Sequence, residues 1–134
     1  NMDIAILSAA VADYKMEHIA EQKIKKTNTD PTLQLVKTKD ILAHLGASKK
    51  PGQFVVGFAL ETENELENAQ KKRLAKNADA IVLNSLNDKG AGFGSSQNQV
   101  TILDQDGAGL FIPLVSKTVV AEQIVSYIVS KTHA

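Results

Sequence analysis

Ile4-Ala5-Ile6-Leu7-Ser8-Ala9-Ala10-Val11-Ala12-Asp13-Tyr14 is the stretch from which the fold is read. Its apolar opening, Ile4 to Leu7, predicts a buried strand over residues 3–8. The small residues that follow predict an exit loop over 9–13, where another backbone or a ligand can approach closely. A lone carboxylate, Asp13, ends the loop, and the cluster Lys23-Ile24-Lys25-Lys26 comes shortly after it. In open α/β sheets ligands bind at the carboxyl ends of strands. The end of this strand is therefore where a site is expected.

Two further apolar runs share that character. Phe54-Val55-Val56-Gly57-Phe58-Ala59 is continuous and rich in β-branched and aromatic residues, so it predicts a buried central strand. Ala80-Ile81-Val82-Leu83 predicts another. Before them, residues 14–29 hold no steady period and predict an extended, lysine-rich arm, and 32–37 alternate as a strand does. A short helix is expected from Asp40, whose carboxylate can cap Ile41, Leu42 and Leu45, with Gly46 as its stop. Lys49-Lys50-Pro51-Gly52 reads as a turn. Residues 62–76 predict a helix capped by Thr62, with Glu65 at capping-box distance and Leu66, Ala69 and Leu74 facing inward. A loop is expected over 85–97. Strands over 99–103 and 110–114 flank Asp104-Gln105-Asp106-Gly107 as a hairpin. Ser116 is placed to cap a last helix with Val120, Ile124, Tyr127 and Ile128 along one side. This order predicts an α/β fold: a mostly parallel sheet, helices on its faces and an antiparallel pair at one edge.

Composition narrows the function classes. The 134 residues suit a single domain over 1–134, with 43% hydrophobic and 22% charged residues. Fifteen basic and fifteen acidic side chains cancel, so no global field draws the chain to nucleic acid or an anionic membrane, and an anion site must be local. With 4% aromatics as well, a nucleic-acid-binding module is disfavoured. No apolar run is long enough for a membrane span. Absent cysteine excludes disulfides and thiolate metal sites and fits a cytoplasmic protein. His18, His44 and His133 lack metal-ligand spacing.

Several pieces, in order and at compatible spacings, resemble one family. They are Ala9-Ala10-Val11-Ala12-Asp13-Tyr14 with Lys23-Ile24-Lys25-Lys26, Lys39-Asp40-Ile41-Leu42, Gly57-Phe58-Ala59-Leu60-Glu61-Thr62, residues 72–77, and Gly92-Phe93-Gly94-Ser95. Together they cover most of the chain and resemble the bacterial phosphopantothenate–cysteine ligase, or phosphopantothenoylcysteine synthetase. That ligase is often the C-terminal half of a bifunctional coenzyme A biosynthesis protein, behind a flavin-dependent decarboxylase. The resemblance implies a Rossmann-like fold lacking its N-terminal portion, which in the family holds a glycine-rich turn and an asparagine acting on the acyl intermediate. It implies 4′-phosphopantothenate, cysteine and CTP as substrates, Mg²⁺ as cofactor, FMN only where a decarboxylase domain is fused upstream, and a homodimer whose Lys23–Lys26 arm crosses to the neighbouring subunit.

Each candidate also has an ordinary reading. Asp13 could be a turn or cap aspartate; the resemblance makes it a ligand of Mg²⁺ or nucleotide. The lysine arm could be merely solvated; the resemblance makes Lys23 a triphosphate contact and the candidate catalytic residue. Lys72 and Lys76, four apart, share a helix face and could simply favour the helix dipole; the resemblance assigns both to phosphate binding. Phe58 would ordinarily be core; by resemblance it packs on the nucleotide, with Leu7, Ser8, Ala9, Lys39, Asp40, Ile41 and Leu42 completing the pocket. Backbone N–H groups at the start of the Asp40 helix suit polar edges or anions. The glycine-rich run Gly90-Ala91-Gly92-Phe93-Gly94-Ser95 lacks dinucleotide-fingerprint spacing and reads as a loop. Gln22, Lys39 and Leu60 depart from the family pattern without removing a charge the site needs. Two readings follow: the ligase, acting through charge neutralisation and positioning, or a nucleotide-binding and dimerisation unit without activity of its own.

Overall fold

The structure, a computed structural model, describes residues 2–25, 30, 32–85 and 94–132. Lys26 and most of the glycine-rich run, Gly90 to Phe93, lie outside the described residues, as does His133. Five strands form the main sheet in the order β1 (Ile4–Leu7), β4 (Phe54–Glu61), β5 (Ala80–Ser85), β6 (Gln97–Asp104), β7 (Gly107–Ser116). β1, β4 and β5 are parallel neighbours, while β6 and β7 run antiparallel beside them. A separate antiparallel ribbon pairs β2 (Tyr14–Met16) with β3 (Leu35–Lys37).

Strand alternation divides the core into two layers. On one face, Val56, Ala80, Val82, Val100, Ile102 and Ile112 meet Val120, Ile124 and Ile128 of the last helix, α3 (Lys117–Thr132). On the other, Val55, Ala59, Ile81, Leu83 and Leu103 meet Leu42 of α1 (Ile41–Ser48) and Ala69 of α2 (Glu65–Ala75). Gly57 belongs to this second face: a Cβ there would stand 2.5 Å from a Leu42 methyl, so the missing side chain lets α1 lie directly on β4.

Several expectations need correction. β1 is not buried: Ile4 and Ile6 are 38% and 43% exposed, because β1 is the edge strand and α3 lies over β6 and β7 on that face. The arm is partly a ribbon, since Tyr14–Met16 pairs with Leu35–Lys37. Gly46 does not end α1; it sits inside the helix, buried against the carbonyl of Lys76. α2 starts at Glu65, not at Thr62, and its N-cap is Asn64 in the left-handed region without a side-chain cap. Only Ala69 of its three expected inward residues is buried; Leu66 and Leu74 are exposed. The Asp40 cap, the β6–β7 hairpin and the Ser116 cap stand as expected, with Val119 N–H donating to Ser116 Oγ at 3.3 Å.

A polar cluster ties the hairpin to α3. Asp104 is buried, and its carboxylate accepts from Tyr127 Oη and from Lys131 Nζ, the latter at 2.7 Å. Lys131 also reaches Asp106 at 3.3 Å. Desolvation pushes the Asp104 carboxyl up, but donation from Lys131, Tyr127 and the Asp106 N–H outweighs it and holds the group below its usual range. Burial, then the Asp104 carboxylate, pushes the Tyr127 phenol up to about 12.

Candidate functional site

The site begins where the sheet edge steps. β1 ends opposite Gly57, but β4 continues to Glu61 beside β5. The Phe54 N–H donates to Asp3 on the β1 side at 2.8 Å, whereas Val55 exchanges its bonds with Asp79 on the β5 side. Alternation therefore turns the Phe58 carbonyl toward β1, just past the point where β1 stops. A strand carbonyl left there needs a donor. Lys72 supplies it, with Nζ 3.0 Å from Phe58 O.

One helical turn further along α2, the C-cap residue Lys76 reaches the other way. Its ammonium lies 2.7 Å from Asp40 Oδ2, while Asp40 Oδ1 accepts the Ala43 N–H at 2.8 Å as the N-cap of α1. The approach of the two helix ends depends on Gly46. A Cβ there would stand 1.9 Å from Lys76 O, and the Asn77 amide donates to Gly46 O at 2.8 Å. Asn77 adopts the left-handed conformation, φ 50°, that ends α2. Two ammonium groups, one carboxylate and the N-terminus of α1 thus meet at the carboxyl end of β1. The Ala43 N–H and the hydrogen bond from Lys76 hold the Asp40 carboxyl below its usual range against the desolvation that raises it, and the charges of Lys76 and Lys72 add lesser lowering.

The remaining predicted residues distribute around this centre. Ser8 and Ala9 are exposed past the end of β1, and Leu7 is half-buried against the α1–α2 side. Lys39 is exposed before Asp40, and Ile41 is exposed at the first position of α1. Leu42 is buried in the core. The Phe58 side chain is half-buried on the opposite, α3-facing side of the sheet, so its carbonyl, not its ring, joins the lysine pair. Asp13 is exposed at the ribbon base, where its carbonyl accepts from Thr38 N at 2.9 Å and Thr38 Oγ1 donates to Ala12 O at 2.6 Å. This fastens Asp13 close to the Lys39–Asp40 segment. Lys23 is exposed beyond the ribbon, outside any regular element.

Among the described residues no cluster of three His, Asp or Glu side chains forms a metal cage. The donor set suits a hard cation carried on phosphate oxygens and held by a single carboxylate such as Asp13; Asp40 is already engaged. An open depression of about 210 Å³ lies elsewhere, between Glu65, Leu66, Ser85, Gln99 and Thr101. Charge rather than enclosure marks the Lys72–Lys76 centre. The sequence reading missed the Lys72–Phe58 carbonyl bond and the Gly46 contact. The four-residue spacing of Lys72 and Lys76 showed only that they share a helix face; no local signal pointed to either contact.

The family described as the DNA/pantothenate metabolism flavoprotein C-terminal domain matches residues 1–132. A Bacillus subtilis coenzyme A biosynthesis bifunctional protein, CoaBC, is 44% identical over 126 residues, 94% of this chain and 31% of that protein. A protein named cysteine/cysteine sulfinic acid decarboxylase, from an unknown prokaryotic organism, is 46% identical over 131 residues, 98% of this chain and 36% of its own. The crystal structure of the C-terminal domain of a CoaBC protein superposes with a TM-score of 0.73 at 36% identity, covering 96% of this chain and 54% of that one. The chain thus spans about a third of the length of the curated relatives it matches.

Proposed function

Because the chain belongs to the DNA/pantothenate metabolism flavoprotein C-terminal domain family, we propose that it supplies the nucleotide-binding centre of a phosphopantothenate–cysteine ligase in coenzyme A biosynthesis. The observation that carries this reading is the convergence of Lys72, Lys76 and the α1 N-terminus just past β1. Two cations four residues apart and a helix N-terminus suit a polyphosphate. The nucleotide in this reading is CTP. The 4′-phosphopantothenate carboxylate attacks its α-phosphorus, the bond to the bridging oxygen breaks, and pyrophosphate leaves. The cysteine amine then attacks the acyl carbon of the acyl-cytidylate, expels CMP, and loses a proton to give the amide.

In that scheme Lys72 and Lys76 neutralise charge on the phosphates, which is the main obstacle to bringing two polyanions together. Ser8 and Ala9 leave room for the ligand at the strand end, and Asp13 would hold the cation. Mg²⁺, when bound, supplies neutralisation of the phosphate oxygens. Lys23 completes the site from a second copy. The ribbon supports that arrangement: Tyr14, Met16, Leu33 and Leu35 are all exposed, and a two-stranded ribbon is marginal alone in water. The test is pyrophosphate release on mixing the chain with Mg²⁺, CTP, 4′-phosphopantothenate and cysteine, in parallel with ATP, GTP and UTP.

A second reading is a nucleotide-binding and dimerisation unit whose turnover needs further chain. The observation favouring it is the coverage of 54% of the solved CoaBC C-terminal domain. It predicts nucleotide binding and a concentration-dependent dimer in sedimentation, without pyrophosphate release.

A further inference from the structure

Both lysines of the proposed phosphate centre are engaged with the protein's own acceptors. Lys72 donates to a main-chain carbonyl, a neutral acceptor that leaves its charge unspent. Lys76 is held by a carboxylate, and that same carboxylate occupies the N-terminus of α1 by accepting the Ala43 N–H. An incoming phosphate would seek the same two partners: an ammonium and a helix N-terminal N–H. The Asp40 side chain is 47% exposed and that of Lys76 32% exposed, so the pair is solvent-accessible and weak enough to exchange.

We propose that Asp40 is an internal stand-in for a ligand phosphate and sets the charge a ligand must carry to occupy the site. Resting on the phosphate-binding reading above, this inference adds a selection rule. A single phosphate competes poorly with a carboxylate that is already in place and tethered. A tri- or diphosphate contacts Lys72 and Lys76 together and outweighs it. The site then accepts a nucleoside triphosphate and releases a nucleoside monophosphate through one charge rather than through shape. Asp40 is a positioning residue here: it aims Lys76 and discounts weak anions. The lowered Asp40 carboxyl is consistent with this, since the group keeps its charge at neutral pH.

The substitution Asp40→Asn tests the idea, because asparagine is an equally good N-cap and only the charge is lost. Asp40→Ser keeps a capping oxygen as well and serves if the asparagine variant folds poorly. Binding of inorganic tripolyphosphate and of orthophosphate would be titrated by calorimetry for the wild-type chain and both variants, with Lys72→Ala as the control for the site. The expected result is tighter tripolyphosphate binding by roughly tenfold in Asp40→Asn, the size expected of one partly screened unit charge a few ångströms away. Orthophosphate, which has to displace the same carboxylate, gains by about the same factor and rises toward the affinity that tripolyphosphate already reaches against Asp40. If tripolyphosphate binds the wild type in a Lys72-dependent way but Asp40→Asn binds it no tighter, the stand-in role is overturned and the phosphate site survives. If wild type and variants alike ignore tripolyphosphate, the phosphate reading fails and the selection rule with it.

Discussion

Replacing Gly46 by alanine should separate the two things alanine does in a helix. In an isolated helix the change would stabilise by about 1 kcal/mol, because glycine has the larger backbone entropy to lose. Here the new Cβ would stand 1.9 Å from Lys76 O and 3.0 Å from Asn77 O, both backbone atoms that cannot rotate away. Overpacking of this kind costs about 1–3 kcal/mol and more when main chain must move. Separating α1 from the end of α2 also strains the Asn77–Gly46 hydrogen bond and pulls Lys76 from Asp40. The net expectation is a loss of about 2 kcal/mol, or a Tm lower by roughly 5–10 °C for a domain of this size. Thermal unfolding followed by circular dichroism reads it. A Tm equal to or above that of wild type would mean that helix propensity prevails and that the two helix ends do not meet. The architecture placing Lys76 beside Asp40 would then be wrong.

Other expectations follow from the same geometry. Tyr127→Phe removes a hydrogen bond to a buried carboxylate and should cost about 1.5–3 kcal/mol in urea unfolding. Since folding raises the Tyr127 phenol to about 12, its contribution is full below the unfolded value near 10 and is lost as pH rises through about 12; the variant should lack that alkaline loss. Asp104 behaves oppositely: its carboxyl is lowered by folding, so its contribution is present above the unfolded value near 4 and is lost as pH falls through the folded one, and Asp104→Asn should flatten the acid limb of a stability–pH profile. Lys71→Ala should leave nucleotide affinity unchanged in calorimetry, because Lys71 pairs with Glu67 on the solvated face at 2.7 Å, with both side chains mostly exposed.

The parts of the fold that composition alone can encode were legible. The apolar runs around Val55–Val56 and Ile81–Val82 announce strands buried on both faces, and the structure buries those residues almost fully. Asp40 before Ile41-Leu42 announces a cap that the structure forms. What the sequence misstated is set by tertiary placement. Ile4 and Ile6 look like core but lie on an edge strand that α3 does not cover. Gly46 looks like a helix stop because glycine favours left-handed ends, yet its use here is close approach. Leu66 and Leu74 have the right spacing for an inward face, but α2 seats only on Ala69. At the site, the four-residue spacing of Lys72 and Lys76 was visible. That one meets a strand carbonyl and the other a carboxylate depends on β1 stopping before β4, which no local pattern records.

The most direct test of the central claim is a calorimetric titration of Mg²⁺·CTP into the wild-type chain and into Lys72→Ala. The account predicts saturable binding that weakens roughly 10- to 100-fold in the variant, the loss expected for one charge-assisted contact to phosphate. Binding of equal strength in both would remove Lys72 from the site, and no binding to the wild-type chain would contradict a nucleotide centre at the end of β1.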